Sequence, residues 1–147
     1  MNQIKHRVGI NTEAARVYEA LSTDAGLARW WTRDTRGAGP VGSIIEFRFG
    51  DHGPDFEVIE LIPDKLVRWR HHGNMPAGWM GSEILFDLHE DGKQTLVNFA
   101  HYQWQKSDEF LAHCSTKWGI FMMSLKDCLE SGEGNPWPND IHIDYDE

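Results

Sequence analysis

Residues 111–129, LAHCSTKWGIFMMSLKDCL, decide the predicted fold. Their apolar side chains recur at steps of three and four, which is typical of one face of an amphipathic helix. This stripe consists of Leu111, Cys114, Trp118, Met122, Leu125 and Leu129, with Phe121 beside it. Ser107 is the expected cap at the start, and Gly132 is expected to end the helix. A helix of about 25 residues is roughly 37 Å long, which is enough to cross a whole sheet.

The sequence before this helix shows the period of two that is typical of β-strands. Residues 4–10 predict a first strand, and five more segments follow from residue 41, separated by turn signals such as Gly73-Asn74. Four of these segments place a set of mainly apolar residues on one face, which is predicted to point inward. The set is Ile45, Phe47, Phe49, Val67, Trp69, His71, Ile84, Phe86, Leu88, Val97, Phe99 and His101. The segment from Phe56 to Leu61 alternates less cleanly, which favours a bulge or an edge position.

Two short helices are predicted between the first strand and the other five. Asn11 and Thr12 are the expected caps of the first helix, whose apolar residues recur at helical spacing from Ala14 to Leu21. The second helix is expected from Ala25 to Trp31, after capping candidates at positions 23 and 24. The resulting order of elements is β-α-α-β-β-β-β-β-α.

This order predicts an α+β domain of the helix-grip type, in which the long C-terminal helix lies across the concave face of a curved six-stranded antiparallel sheet. The chain has 147 residues and no Pro/Gly/Ser-rich stretch that divides it, so a single domain is expected over residues 1–136. Residues 137–147 are acidic and follow Pro136, and they are predicted to form a mobile tail.

Charge and cysteine content argue against several functional classes. The formal net charge is -9 and the basic residues form no patch, so nucleic-acid binding is not expected. No apolar run approaches the ~18 residues that indicate a membrane span, so no membrane insertion is expected. Cys114 and Cys128 are too far apart along the predicted helix to form a disulfide and are expected to be reduced thiols. The predicted location is therefore cytoplasmic.

The inward aromatic residues predict a ligand site between the sheet and the long helix. Aromatics make up 12% of the chain, and a flat or aliphatic guest would be stabilised by burial and stacking against them. The candidate ligand-binding residues are Trp31, Phe47, Phe49, Trp69, His71, Phe86, Phe99, His101, Trp118, Phe121 and Met122. The alternative, an ordinary packed core, is left open by the sequence.

A catalytic role is a second hypothesis for this interior. His71 and His101 are predicted to point inward, and a bulge would turn the Glu60 carboxylate toward them, which would make these three the candidate catalytic residues. The alternative is a pair of buried histidines whose nitrogens bond to backbone or hydroxyl groups. The spacing of histidines and cysteines matches no metal motif, so neither a metal nor another cofactor is expected.

Short motifs along most of the chain carry a family resemblance. They are Val17-Tyr18-Glu19-Ala20-Leu21, Leu27-Ala28-Arg29-Trp30-Trp31, Val41-Gly42, Glu60-Leu61-Ile62-Pro63, Gly92-Lys93-Gln94-Thr95, Phe99-Ala100-His101 before Trp104, and Phe110 with Trp118 to Leu125. Their order and spacing resemble the SRPBCC or START-related superfamily that includes birch pollen allergen. Within it, the chain is most similar to the group named after the activator of the heat-shock protein 90 ATPase.

The resemblance implies a helix-grip fold whose cavity takes hydrophobic or amphipathic small molecules. Together with the inward aromatics, it favours non-enzymatic binding of such a molecule as the function. Two alternatives follow from the same resemblance: a cyclase or dehydratase that uses the inward histidines, and a module that interacts with a chaperone. A homodimer is a further state that the sequence leaves open.

Overall fold

The computed structural model of the chain describes residues 2–144, in which the strands and helices alternate with short loops. The elements are β1 (Asn2–Ile10), α1 (Ala14–Ser22), α2 (Asp24–Ala28), β2 (Asp34–Arg36), β3 (Ile44–Arg48), β4 (Asp55–Ile62), β5 (Leu66–His72), β6 (Glu83–Asp91), β7 (Gln94–Trp104) and α3 (Glu109–Ser131). A 3₁₀ turn, Ala77–Trp79, lies between β5 and β6. Within residues 2–144, no helix is both long and apolar enough to cross a membrane.

The strands form one curved, open, antiparallel sheet in the order β1-β7-β6-β5-β4-β3-β2. The predicted α+β helix-grip class is confirmed. The sheet has seven strands rather than the predicted six, because Asp34–Arg36 pairs with β3 as an additional edge strand. A strand of three largely polar residues is too short to show a period of two, so the sequence pattern gave no sign of it.

The edge strand β1 is joined to the sheet by β7, a strand distant from it in the sequence. β1 pairs with β7, so that Ile4 lies opposite His101 and Ile10 lies opposite Thr95. Strands β3 to β6, in contrast, each pair with the next strand along the chain. The long helix α3 lies along β1, where His6 Nε2 donates a hydrogen bond to the Ser115 carbonyl at 2.9 Å.

The inner face of the sheet carries the residues that the alternation predicted. Buried members of the set are Ile45, Phe47, Val67, Trp69, His71, Ile84, Phe86, Leu88, Val97, Phe99 and His101, and Phe49 is partly buried. The register of β4 shifts between Val58 and Glu60, which confirms the predicted bulge. The bulge does not turn Glu60 inward, because its carboxylate pairs with Arg68 on the outer face of β5 at 3.3 Å.

The two short helices begin close to their predicted positions. Thr23 caps α2 as expected, since its hydroxyl oxygen accepts a hydrogen bond from the Gly26 N–H at 3.0 Å. The predicted capping of α1 by residues 11 and 12 is wrong. The Ala14 N–H donates instead to the Glu90 carboxylate on β6 at 3.0 Å, so a contact distant in the sequence supplies the acceptor.

The long helix has the predicted buried stripe. Its buried residues are Cys114, Trp118, Phe121, Met122, Ser124, Leu125, Cys128 and Leu129, and both cysteines are free thiols. The cap is Asp108, one residue after the predicted Ser107, and its carboxylate accepts from the Leu111 N–H at 3.0 Å. Gly132 ends the helix in the left-handed conformation with a φ of 93°, as predicted.

The segment of residues 133–144, here called the strap, folds back onto the domain. The Trp137 N–H donates to the Trp31 carbonyl at 2.7 Å, and the Trp137 ring meets the Phe49 ring with centroids 6.0 Å apart. Asp140 is buried beside Lys117 of α3. The mobility predicted for residues 137–147 stays a prediction, and residues 145–147 lie outside the described part of the chain.

Candidate ligand-binding cleft

A cleft of about 510 Å³ opens at one end of the sheet. Its walls are the first half of α3, the loop that joins β3 to β4, the loop that joins β5 to β6, the residue Trp31 after α2, and the strap. Small-molecule sites in proteins commonly have volumes of roughly 300–1,000 Å³, so the cleft has the size of such a site.

Aromatic rings form much of the cleft wall. They belong to Trp31, Phe49, Trp79, Phe110, Trp118, Phe121 and Trp137. The Trp79 and Trp118 rings stack with centroids 6.3 Å apart, and the Trp31 ring lies 4.8 Å from that of Trp118. Rings that hold one another in this way present a rigid apolar surface on which a flat guest can stack.

An ion pair is built into the wall where the strap meets α3. Lys117 Nζ donates to Asp140 Oδ2 and also to the Ile141 carbonyl, the latter at 2.9 Å. The Asp140 side chain is only 1% exposed. The Lys117 ammonium also lies 5.4 Å from the centroid of the Phe121 ring, within the range of a cation–π contact. The two opposite charges of this pair stabilise each other in the wall.

Three histidines add polar groups to the cleft, namely His52, His113 and His142. His113 Nδ1 lies 2.8 Å from Asp144 Oδ2 and donates to this carboxylate. This bond fixes the tautomer of the neutral ring and leaves Nε2 as an acceptor. Among residues 2–144, no group of three or more His, Cys, Asp or Glu side chains is arranged to hold a metal ion.

The structure divides the predicted ligand-binding residues into two groups. Trp31, Phe49, Trp118 and Phe121 line the cleft. The others do not line it and are buried in the core: Phe47, Trp69, His71, Phe86, Phe99, His101 and Met122. The core rings pack on one another, as shown by the 5.3 Å between the Trp69 and Phe86 centroids. The interior beneath the helix is therefore packed, and the open space lies beside it.

His101 belongs to a linear chain of hydrogen bonds in the core. The Trp118 indole N–H donates to His101 Nδ1 at 3.1 Å, so Nε2 carries the proton and donates to Ser82 Oγ at 2.9 Å. Ser82 Oγ donates in turn to the Trp79 carbonyl at 2.5 Å. Burial, with a smaller contribution from His71, lowers the pKa of His101 to about 3. The ring is neutral near pH 7, and both of its nitrogens are engaged within the core.

His71 and Glu60 do not form an acid–base group with His101. His71 Nε2 donates to the Met75 carbonyl at 2.8 Å, and burial is the main cause that lowers the pKa of this ring. The Glu60 side chain is 43% exposed and pairs with Arg68 on the opposite face of the sheet. None of the three predicted catalytic residues lines the cleft.

Cys114 lines the cleft but is a poor nucleophile. Burial is the main cause that raises the pKa of its thiol to about 12, so the thiol is protonated at neutral pH. Burial also raises the pKa of Cys128, which does not line the cleft. The cleft therefore offers apolar contact and hydrogen bonds rather than a thiolate.

Comparison with known proteins places this architecture in a family. The family described as "Activator of Hsp90 ATPase homolog 1-like protein" matches residues 11–130. The chain belongs to this family. The family is part of the SRPBCC superfamily, so the resemblance seen in the sequence is confirmed. The search among curated proteins found no match.

Solved structures similar to this member of the Hsp90-activator-like family include one near relative and several distant ones. The solution structure of the Aha1 dimer from Colwellia psychrerythraea is 54% identical, covers 91% of this chain and 100% of its own, and has a TM-score of 0.86. SSP2350 from Staphylococcus saprophyticus is 16% identical, with coverages of 90% and 95% and a TM-score of 0.76. CalU16 from Micromonospora echinospora is 18% identical, with coverages of 98% and 75% and a TM-score of 0.78. The last two show the fold alone.

The sequence analysis missed the parts of the cleft that come from loops and from the strap. Trp79 lies in a loop, and Phe110 lies at the very start of α3, so no period assigned either of them to a face. Trp137 gave a signal, since a large aromatic residue between two prolines is unusual in a tail predicted to be mobile. No sequence pattern connects Lys117 with Asp140, which approach each other only because the chain reverses after Gly132.

Proposed function

We propose that this protein binds a hydrophobic or amphipathic small molecule in the cleft and does not catalyse a reaction on it. The observation that supports this most directly is an aromatic-walled cleft of about 510 Å³ that lies beside a packed core. At ~25 cal/mol per Å², a guest that buries about 200 Å² of apolar surface gains roughly 5 kcal/mol before the costs of association.

The position of the aromatic rings supports binding rather than packing alone. Large aromatic side chains contribute most to stability when they are fully buried, as Trp69 and Phe86 are. Phe49, Phe110 and Trp137 are instead partly exposed around the cleft. A contiguous apolar surface of this kind on a folded domain is typical of a binding site.

The proposal can be tested on the whole chain. We expect mass spectrometry of the protein purified from its own host to reveal a co-purified apolar compound. We also expect 2-methoxynaphthalene, an uncharged apolar probe, to quench tryptophan fluorescence in a saturable way. A protein that carries no compound and shows no saturable quenching would contradict the proposal.

A pair of matched variants locates the binding site. Cys114→Met adds volume to the cleft wall, so we expect it to weaken binding of 2-methoxynaphthalene several-fold with little loss of stability. Cys128→Met is the control, because Cys128 is also buried on α3 but does not line the cleft. This control should lower stability and leave the affinity unchanged. The reverse pattern would place the probe elsewhere.

The geometry gives less support to the cyclase or dehydratase hypothesis. His101 is neutral and fully hydrogen-bonded, and Glu60 lies on the other face of the sheet. The His113–Asp144 pair at the cleft is the arrangement closest to a general base, since it leaves Nε2 as an acceptor. Turnover of any cleft ligand that is lost in His113→Gln would favour an enzyme over a carrier.

Family membership supports a chaperone-interacting role as a second candidate. The family is described by its likeness to an activator of the Hsp90 ATPase, and the match covers residues 11–130. The test is the ATPase rate of the Hsp90 from the same organism with and without this chain. A several-fold increase would support the role, and an unchanged rate at saturating chain would reject it.

Two further properties are proposed with this function. The Colwellia psychrerythraea relative forms a dimer, which supports a homodimer here. Light scattering after gel filtration should then give the mass of two chains, and the mass of one chain would contradict it. The buried free thiols of Cys114 and Cys128 support a reducing compartment such as the cytoplasm, which fractionation of the host would test.

A further inference from the structure

One buried carboxylate oxygen in the cleft wall lacks a hydrogen-bond donor. Asp140 is 6% exposed, and its Oδ2 accepts a hydrogen bond from Lys117. Its Oδ1 is buried and has no hydrogen-bond partner among the residues that the structure describes. An ionised carboxylate can accept several hydrogen bonds, and a buried oxygen without a donor is unfavourable. Because Asp140 lines the cleft, a molecule bound there can supply the missing donor.

The charges around Asp140 favour a donor that is electrically neutral. The Lys117 ammonium already compensates the carboxylate, so a cationic ligand would meet repulsion from Lys117. An anionic ligand would place a second negative charge next to the buried Asp140 carboxylate, which is also repulsive. A hydroxyl or N–H group on an uncharged molecule meets neither penalty.

We propose that Asp140 determines the specificity of the cleft, by accepting a hydrogen bond at Oδ1 from a hydroxyl or N–H group of a neutral, flat, apolar ligand. This inference rests on the proposed function, because it requires a ligand in the cleft. The rings of Trp31, Trp118 and Phe121 contact the apolar body of the ligand, and the strap contacts its polar end. The match to the family ends at residue 130, so this contact belongs to a segment that follows the matched residues.

A pair of probes that differ by one methyl group tests the proposal. 2-Naphthol offers a neutral hydroxyl donor, and 2-methoxynaphthalene has the same ring system without a donor. A hydrogen bond to a charged acceptor commonly changes affinity by about tenfold or more. We expect 2-naphthol to bind the wild-type chain about tenfold more tightly than 2-methoxynaphthalene, and Asp140→Ala to bind both probes equally.

Glu133→Ala is the matched control, because it removes another strap carboxylate, one that is exposed and does not line the cleft. This variant should keep the tenfold preference for 2-naphthol. Equal affinities in the wild-type chain would overturn the assignment of Asp140 while leaving the proposed function intact. Failure of both probes to bind would overturn the proposed function itself. A preference that persists in Asp140→Ala would show that another group accepts the hydrogen bond.

A measurement on the wild-type chain covers the case in which Asp140→Ala does not fold. The carboxyl ¹³C resonance of Asp140 should shift when 2-naphthol is added and stay unchanged with 2-methoxynaphthalene at equal occupancy. The side-chain carboxyl resonance of Glu133, which does not line the cleft, provides the internal reference. Equal shifts of the Asp140 resonance with the two probes would contradict a hydrogen bond to Oδ1.

Discussion

Trp69 and Trp79 lie ten residues apart in the chain, yet they occupy different environments. Trp69, on β5, is 1% exposed and packs against Trp31 and Phe86 with centroid distances of 6.3 and 5.3 Å. Trp79, in the loop after β5, is also buried, at 8% exposed, but it packs on Trp118 and lines an open cleft. Both rings therefore belong to the core, but the ring that a loop carries also forms part of the cleft wall.

The difference has a geometric cause. Side chains on adjacent strands keep a fixed spacing, and α3 covers them, so the rings fill the space between sheet and helix. The loops and the strap have no such spacing, and the wall that they form leaves a gap. Replacements in the core should therefore change stability, and replacements around the cleft should mainly change binding.

Removing the Trp69 ring should have the largest effect. Trp69→Ala deletes a fully buried ring from the core, and such changes cost about 3–5 kcal/mol of unfolding free energy. Urea denaturation followed by circular dichroism measures this loss. A loss below ~1 kcal/mol would mean that the core is less tightly packed than the ring contacts indicate.

The second-largest effect is expected from lowering the pH, which should reduce the unfolding free energy through His101. Its pKa is about 3 in the folded chain against an ordinary value of 6.5. Between these two pH values the unfolded chain binds a proton at His101 and the folded chain does not. The contribution of His101 to the unfolding free energy is thus fully present above pH 6.5. It falls toward pH 3 by about 1.4 kcal/mol per pH unit. The lowered pKa of His71 acts in the same direction.

Urea denaturation at several pH values between 4.5 and 7.5 measures this slope. His101→Gln should be less stable at neutral pH, because the bonds to Trp118 and Ser82 are disturbed, but its slope should be shallower by one proton. An unchanged slope in this variant would show that His101 is not the titrating group.

Removing the Trp137 ring should affect binding more than stability, in contrast to removal of the Trp69 ring. Trp137 is partly exposed and contacts Phe49 in the cleft wall, so Trp137→Ala should cost only about 1 kcal/mol of stability. Affinity for 2-methoxynaphthalene should fall about tenfold, because one aromatic wall is lost. Fluorescence titration and urea denaturation of the same variant compare the two effects. A large loss of stability with unchanged affinity would assign this ring to the core.

The smallest effect is expected on the outer face of the sheet. Glu60→Gln removes a partly exposed ion pair with Arg68, and surface pairs contribute about 0–1 kcal/mol. Both the unfolding free energy and the affinity for the probe should stay close to those of the wild-type chain. A clear change in affinity would indicate that Glu60 has a functional role.

Much of the fold could be predicted from the sequence, because periodicity reports directly on buried faces. The stripe on α3 and the inward sets on β3, β5, β6 and β7 lie where the alternation placed them. Strand β2 escaped prediction because Asp34–Arg36 is short and mainly polar, and its pairing depends on backbone bonds to β3. The wrong cap at α1 has a similar cause, since Glu90 reaches Ala14 only in the folded chain.

The candidate site was predicted less completely. Trp31, Phe49, Trp118 and Phe121 were identified because they belong to regular elements or adjoin them. Periodicity could not show which inward rings would stay in contact with open space. That outcome depends on where the loops and the strap close the domain, as the Lys117–Asp140 pair illustrates.

The pairing of β1 with β7 has a consequence for how the chain folds as it is synthesised. Strands β3 to β7 are successive hairpins, so each can pair as soon as its neighbour has left the ribosome. β1 precedes the other strands but must wait for residues 95–104, its partners on β7. Contacts between such distant residues form slowly. Among the strands of the sheet, β1 is therefore the one that spends the longest time without its partner.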